Sequence, residues 1–315
     1  MSAAGLLRAG TVTNAVFVTA EDPGEFSFLA ADAAAVGRAA PLPPVRRVAL
    51  TDQVSALSWG DAPADIVLAH GVALNAHTWD ATVLAWPDPS IGFLALDLPG
   101  HGDSPWRADA DYSPATLAGP VIEALAAARA QGLLVASPSM VGHSLGGLVA
   151  IEMLCADVVS FARLVLLDIL PLAAQAARSV AAFLDGPASF DSRDEIVQRA
   201  LAFGLGGNRE AVGRAVYLNT RLDRDGRVVW KHHFGVLGGA GLRVPGAEAV
   251  WPLIAHSPVP IDLIAATLSI VDADAVDRFL SLRPQARVLR LAGGHNLQED
   301  APVELARALA DVLIG

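Results

Sequence analysis

The chain is poor in cysteine, in charged residues and in long apolar runs. Cys155 is the only cysteine among 315 residues, so an intrachain disulfide is excluded. It directly follows the helix-forming stretch Ala-Ile-Glu-Met-Leu at 150–154 and is interpreted as a buried helix residue rather than as a reactive thiol.

The low charge content limits the classes of partner. Charged residues make up 17% of the chain, and 22 basic residues against 33 acidic ones give a net charge of −11. Because no basic run is present, nucleic acid and anionic membranes are not expected as partners. No uncharged apolar stretch reaches the roughly 18 residues of a membrane-spanning helix. Arg8 is the only basic residue before Glu21, and no sustained apolar run accompanies it. A secretory signal is therefore not expected, and the cytoplasm is the expected location.

Motifs for common cofactors are also missing. No spacing of histidine, cysteine and carboxylate residues is typical of a metal site. The chain has no glycine-rich nucleotide-binding loop either. These absences predict a protein that works without a metal or an organic cofactor.

Apolar residues, by contrast, are abundant at 53%, and the chain length allows one large core with a smaller lobe. Short strand-like runs recur at 45–50, 54–59, 65–69, 91–96, 133–141, 163–169, 261–265 and 286–291. Several are almost continuously apolar, which is typical of strands buried on both faces of a sheet. Helical segments alternate with them: Ser113 and Pro114 form a helix start, 145–157 is helical, and a last helix begins near Pro302. The alternation predicts an α/β fold, a mainly parallel twisted sheet with helices on both faces.

Breaks in this alternation predict the domain organisation. Residues 1–44 form an N-terminal extension that ends in a proline-rich boundary. Residues 45–170 and 246–315 carry the strand–helix alternation and form the predicted core. Residues 171–245 are helical and more polar, and they are interpreted as a cap inserted over the carboxyl-terminal edge of the sheet.

One motif indicates covalent catalysis. Residues 142–146 read Gly-x-Ser-x-Gly, between an apolar run and a helix-forming one. A nucleophilic serine on a sharp strand-to-helix turn has this pattern, since its strained backbone requires small neighbours. The turn would expose the Ser144 hydroxyl and direct the first amides of the next helix at the same space.

Four segments together resemble the α/β-hydrolase family over roughly residues 45–315. Residues 69–72 (Ala-His-Gly-Val) are similar to the family's oxyanion loop, and 96–104 (Leu-Asp-Leu-Pro-Gly-His-Gly-Asp-Ser) to the turn after the next strand. The serine motif comes third, and 293–302 resembles the C-terminal histidine loop. The resemblance implies an α/β-hydrolase fold with an inserted helical cap.

The resemblance also assigns roles. A serine hydroxyl needs a neighbouring base at neutral pH, and His295 is the predicted base for Ser144. The backbone amides of Val72 and Leu145 are the predicted oxyanion donors. Three residues beside these groups are predicted to contact the substrate: His70, Gly71 and His143. For His70, stabilisation of a loop near the site is the alternative role.

The acid that orients the histidine is ambiguous. The usual family position is occupied by Ile270, which cannot orient a histidine. Asp168, at the end of a predicted strand, is the preferred candidate, as in haloalkane dehalogenases. Asp272 is the second candidate, although the sequence after it favours an N-cap role. A site without an acid is the third possibility.

The predicted activity is cofactor-free hydrolysis of an ester, lactone or related acyl bond through an acyl-serine intermediate. Hydrolysis of a C–C bond by the same residues stays an alternative. A small molecule with an apolar acyl or ring group is the expected substrate. Aromatic residues of the cap support that expectation, although most are expected to be cap core: Phe183, Phe190, Phe203, Trp230 and Phe234. Ser144 argues against a dehalogenase or epoxide hydrolase, which would carry aspartate there. The alternatives are a ligand-binding protein without turnover and an acyltransferase.

Overall fold

The computed structural model describes residues 24–154, 160–171, 184–202 and 209–314. The interpretations of Cys155, Phe183 and Phe203 therefore lie outside the described residues. The strands are β1 Val45–Ala49, β2 Ser55–Trp59, β3 Ala64–Ala69, β4 Gly92–Asp97, β5 Leu134–His143, β6 Leu164–Leu167, β7 Ser189–Phe190, β8 Thr220–Leu222, β9 Val228–Trp230, β10 Ile261–Ala266 and β11 Val288–Leu291. The helices are α1 Leu29–Ala35, α2 Asp80–Leu84, α3 Pro114–Ala130, α4 Leu145–Met153, α5 Arg193–Ala202, α6 Arg209–Leu218, α7 Phe234–Leu237, α8 Ala247–His256, α9 Ala273–Leu282, α10 Leu297–Asp300 and α11 Pro302–Leu313, with 3₁₀ turns at Ala76–Trp79 and Gly238–Gly241.

The described residues contain an eight-stranded sheet in the order β1-β2-β4-β3-β5-β6-β10-β11. β2 is antiparallel to both of its neighbours, whereas the pairs from β4 to β11 are parallel. One large apolar cluster lies on each face of the sheet, because the central strands bury both of their sides. The predicted α/β-hydrolase sheet is thus confirmed.

Strand register brings three loops to one edge of the sheet. Ala69 pairs with Gly142, and His143 pairs with Leu167. The residues that follow these strand ends are the predicted site residues His70, Ser144 and Asp168. In a parallel sheet the carboxyl ends of all strands meet at the same edge, which is where such folds bind ligands.

Helix starts follow the sequence pattern with one difference. α3 begins at Pro114 with Ser113 in the N-cap position, as predicted. The Ser113 hydroxyl does not cap the helix, however, but donates to Thr116 Oγ1 at 2.9 Å. The backbone geometry of the cap is therefore present without its usual side-chain bond.

The stretch between β6 and α8 contains more than helices. Alongside α5 and α6, a three-stranded antiparallel sheet has the order β7-β9-β8. These strands are two or three residues long, which is too short for a periodic pattern to reveal. The division of the chain into extension, core and cap stays a prediction.

The N-terminal region contributes a helix that the sequence pattern did not indicate. α1 packs beside α2 on the face of the sheet opposite α3 and α4, and its Leu29 belongs to that apolar cluster. Across the described parts of the chain, no helix is long and apolar enough to cross a membrane.

Candidate active site

The turn between β5 and α4 has the strained geometry predicted for a nucleophilic serine. Ser144 has φ 50° and ψ −116°, a region that side-chain-bearing residues rarely adopt. A Cβ at Gly142 would lie 2.5 Å from the Gly147 Cα, and one at Gly146 would lie 2.5 Å from the carbonyl oxygen of Ala69. These glycines are required because the turn packs directly on neighbouring backbone. Ser144 is 6% exposed.

The first turn of α4 leaves one amide free beside the serine. The amides of Gly147 and Leu148 donate to the Ser144 carbonyl, and that of Gly146 donates to the His70 carbonyl. The amide of Leu145, a predicted oxyanion donor, has no acceptor among the residues that the structure describes. Helix N-termini carry partial positive charge, which favours an anion at this amide.

The loop after β3 approaches the serine through Gly71. A Cβ on Gly71 would lie 3.1 Å from Ser144 Cβ and 2.7 Å from His143 Nδ1. The Gly71 carbonyl accepts from His70 Nδ1 at 2.7 Å and from the Leu74 amide at 3.3 Å. Since a trans peptide places its carbonyl and N–H on opposite sides, these bonds fix the direction of the following N–H, which belongs to Val72. The Val72 amide, like that of Leu145, has no acceptor in the described part of the chain.

His70 is neutral and fully buried. Burial lowers its pKa to about 4, although the hydrogen bond to the Gly71 carbonyl acts in the opposite direction. A neutral ring with Nδ1–H donating leaves Nε2 as an acceptor, and the Leu98 amide donates to it at 3.0 Å. Both ring nitrogens therefore hold loops beside the serine. The substrate contacts assigned to His70 and Gly71 stay predictions.

Asp168 and His295 are in direct contact. His295 Nδ1 lies 2.8 Å from Asp168 Oδ2, and the other carboxylate oxygen accepts from Ser269 Oγ at 2.5 Å and from the Ala266 amide at 2.8 Å. Burial raises the pKa of Asp168, but the hydrogen bonds from His295, Ser269 and Ala266 outweigh it and hold the pKa below its usual value. An ionised Asp168 can thus fix the His295 ring with Nδ1 protonated and Nε2 available.

The second candidate acid lies elsewhere. Asp272 is the N-cap of α9, and its Oδ1 accepts from the Ala275 amide at 2.7 Å. This confirms the N-cap interpretation. Ile270 packs against the core, and the carboxylate that reaches His295 is that of Asp168 at the end of β6.

His143, between the two glycines of the turn, supports the histidine loop. Its Nε2 lies 2.9 Å from the His295 carbonyl, and Gln298 Nε2 lies 3.4 Å from its Nδ1. Burial lowers the pKa of His143 well below its usual value, and the nearby His295 ring adds to the effect. A neutral His143 can therefore donate from Nε2 and accept at Nδ1. It is 1% exposed, and its predicted contact with substrate stays a prediction.

Several residues that hold the site are not recognisable as site residues in the sequence. Ser269 contacts Asp168, and Gln298 contacts both His143 and Thr78. Ser269 lies outside every motif, and Gln298 lies within the segment 293–302 that resembles the histidine loop but had no predicted role there. Their partners are far away in the chain, so only the folded geometry reveals them.

The aromatic residues of the stretch after β6 pack as core. Phe190 and Trp230 meet edge to face at 5.7 Å between ring centroids, and Phe234 is fully buried against Tyr112. Within the described ranges, no cluster of three or more histidine, cysteine or acidic residues has the arrangement of a metal site.

A mainly parallel sheet, a serine on a strained strand-to-helix turn and a carboxylate-bound histidine at the same edge define the α/β-hydrolase class. The comparison with known proteins agrees. The model of the alpha/beta hydrolase family matches residues 66–308, and the chain belongs to that family. It is an enzyme, a serine hydrolase similar to carboxylic ester hydrolases.

One relative is similar to nearly the whole chain in sequence and in structure, and a second shares its fold. The esterase Rv0045c of Mycobacterium tuberculosis is 32% identical over 310 residues, which cover 91% of this chain and 96% of the relative. Its crystal structure superposes with a TM-score of 0.78 at 28% identity, covering 93% of this chain and 98% of that one. The structure of E-2-(acetamidomethylene)succinate hydrolase shares the fold at 18% identity, with a TM-score of 0.72 over 87% of this chain and 100% of that one.

Proposed function

We propose that the protein is a cofactor-free esterase in which Ser144 is the nucleophile, His295 the general base and Asp168 the acid that orients it. The observation that carries the proposal is the hydrogen bond between His295 and Asp168 beside the strained serine turn. A histidine held this way by a buried carboxylate keeps the tautomer that accepts a proton at Nε2. The esterase relative, similar over nearly its whole length, supports the same reaction class.

The reaction takes place in two acyl-transfer steps. Ser144 Oγ attacks the ester carbonyl carbon while its proton passes to His295 Nε2, and the carbonyl oxygen becomes an oxyanion. The amides of Val72 and Leu145 donate to that oxyanion. As the C–O bond breaks, His295 returns the proton to the leaving alcohol. Water then attacks the acyl-serine with the same base, which releases the acid and restores Ser144.

The substrate in this proposal is a small ester with an apolar acyl or ring group. Val72 is only partly buried, and the residues that follow Ser144 at the start of α4 are apolar; both favour such a group next to the serine. A lactone is a cyclic ester and would follow the same steps. The carboxylate on His295 argues against a ligand-binding protein without turnover, because binding alone does not require an oriented base.

Intact mass after treatment with a fluorophosphonate tests the proposal. Wild-type protein should gain one adduct and hydrolyse p-nitrophenyl butyrate, whereas Ser144→Ala should do neither. Ser281→Ala is the matched control, since Ser281 lies on the exposed side of α9 and its hydroxyl bonds only the Arg278 carbonyl among the residues that the structure describes. This variant should label like wild type. Absence of an adduct on folded wild-type protein would instead favour the ligand-binding alternative.

A further inference from the structure

The loop that carries the Val72 amide contains a strained turn. The Leu74 amide donates to the Gly71 carbonyl at 3.3 Å, which closes a four-residue turn. Its third residue, Ala73, has φ 61°. Turns with positive φ at this position usually have glycine there, because a Cβ is unfavourable. With alanine in place, contacts from outside the loop must hold the turn in this conformation.

A pair of asparagines supplies these contacts. Asn219 Nδ2 donates to the Ala73 carbonyl at 2.6 Å. Asn75 Nδ2 donates to the Leu218 carbonyl at 3.2 Å and to Asn219 Oδ1 at 3.1 Å. Asn75 and Asn219 thus form a clasp that holds the strained turn, and Asn219 lies directly after α6, 144 positions beyond Asn75.

Asn219 is itself anchored at both backbone groups. Its amide donates to the Ala215 carbonyl at 3.0 Å, and its carbonyl accepts from the Lys231 amide at 2.9 Å. Further back on α6, Arg214 is 2.7 Å from a carboxylate oxygen of Asp32 on α1 and 2.7 Å from one of Asp80 on α2. The clasp is thus attached to a helix that the core and the N-terminal region hold in place.

We propose that Asn219 and Asn75 are positioning residues that hold the oxyanion loop in its reactive conformation. The inference rests on the proposed function, in which Val72 donates to the oxyanion. Neither asparagine touches the reacting atoms, and both act through the Ala73 carbonyl and the backbone of α6. The turn between Gly71 and Leu74 then depends on the stretch after β6, so that the catalytic loop is complete only when α6 is docked.

Asn75 allows the clasp to be removed without removing a second structural contact. Its Oδ1 accepts from the His77 amide at 3.0 Å and caps the 3₁₀ turn Ala76–Trp79. Aspartate caps as well as asparagine does. Asn75→Asp therefore keeps the cap, removes the two amide donors and places a carboxylate oxygen opposite their former acceptors, the Leu218 carbonyl and Asn219 Oδ1. Asn219→Ala removes the donor to Ala73 from the other side.

Kinetics on p-nitrophenyl butyrate test the proposal. Both variants should lose about 10- to 100-fold in kcat, somewhat less than loss of a whole oxyanion donor. KM should change by less than about threefold, since the oxyanion forms only in the transition state. The inhibition constant of a trifluoromethyl ketone should rise in parallel with the loss in kcat/KM. The pH profile should keep its shape, because His295 and Asp168 are untouched.

Two further measurements separate positioning from general structural damage. The double variant should lose little more than either single one, because residues that act as a unit are non-additive. Glu210→Ala, at an exposed position on α6, should match wild type in all of these measurements. Amide exchange in the peptide covering residues 71–75 should be faster in both clasp variants and unchanged in Glu210→Ala.

Different results would overturn different statements. Wild-type kcat in Asn75→Asp and Asn219→Ala, or unchanged exchange at 71–75, would refute the clasp. A loss in kcat matched by an equal loss of fluorophosphonate-titratable sites would mean that fewer molecules are correctly folded. The two asparagines would then be folding contacts, and the positioning role would be refuted as well. A wild type that neither labels nor hydrolyses esters would refute the proposed function, and the exchange result would still decide the clasp.

Discussion

Asp168 Oδ2 accepts a hydrogen bond from His295 Nδ1 at 2.8 Å, across 127 positions of sequence. Asp168 is fully buried and has φ 50°, like the serine turn beside it. Positive φ is uncommon for residues with a side chain, although aspartate adopts it more readily than most. The burial of Asp168 and its hydrogen bonds with Ser269 and the Ala266 amide hold the carboxylate towards the histidine, which is the arrangement expected when orientation of the ring matters.

Replacing Asp168 tests its role as the acid. Asp168→Asn keeps the size of the side chain but presents an amide to His295, which favours the wrong tautomer. The expected loss in kcat is up to about 10⁴-fold, measured with p-nitrophenyl butyrate. Asp272→Asn is the matched control and should stay within a few-fold of wild type, because asparagine also caps a helix. A thousandfold loss in Asp272→Asn with less than tenfold in Asp168→Asn would reverse the assignment.

Ser269 is expected to affect the catalytic rate indirectly, through its hydrogen bond to Asp168. Ser269→Ala removes the hydroxyl that donates to Asp168 Oδ1 at 2.5 Å. A hydrogen bond to a charged group contributes roughly 1.5–3 kcal/mol, part of which the Ala266 amide can still supply. We expect kcat to fall about 3- to 30-fold in steady-state assays. Ser269→Thr keeps the hydroxyl and should recover most of the rate; equal losses in both variants would speak against the hydrogen bond.

The close approach of Gly71 to the serine predicts a steric effect. In Gly71→Ala the new Cβ would lie 2.7 Å from His143 Nδ1, a distance that forces the loop or the histidine to move. Because 1 Å displacements at a reacting centre can cost about 10²-fold, we expect a loss of that size in kcat/KM. Gly213→Ala on α6 has open space around the new Cβ and should retain wild-type activity while gaining about 0.5–1 kcal/mol of stability. Comparable losses in the two variants would contradict a specific clash.

The parts of the fold predictable from sequence are those set by local pattern. The strands at 64–69 and 92–97 lie within one residue of their predicted positions, because almost continuously apolar runs are typical of strands buried on both faces of a sheet. The serine turn was predictable because the Gly-x-Ser-x-Gly pattern is local, and Gly142 packs on the Cα of Gly147, five positions away.

Other features depend on contacts between distant segments. The sequence did not decide whether Asp168 or Asp272 is the acid that orients His295, because the choice depends on where the loop around His295 docks. The contact between Asn75 and Asn219 has no local signal either, as neither residue lies in a motif. α1 was missed because its helix is seven residues long and is held by packing and ion pairs rather than by a capped amphipathic pattern.

Apart from the catalytic edge, one buried ion cluster links the N-terminal region to the core. His77 Nδ1 lies 2.8 Å from Asp80 and its Nε2 lies 3.0 Å from Glu25. Burial lowers the pKa of His77, but the two carboxylates outweigh it and raise the pKa to about 9, from 6.5 for a free histidine. The folded protein therefore holds a proton on His77 at pH values where the unfolded chain has lost it.

This cluster predicts that stability falls at alkaline pH. Below about pH 6.5 both states bind the proton and the contribution of the charged ring is complete; as pH rises towards 9 only the folded state retains it, so the free energy of unfolding decreases. The decrease should be on the order of 2–3 kcal/mol. Denaturant unfolding of wild type and His77→Gln between about pH 6.5 and 9 measures it. The variant should be less stable at the acid end and lack this part of the slope, whereas parallel slopes would mean that His77 is neutral in the fold.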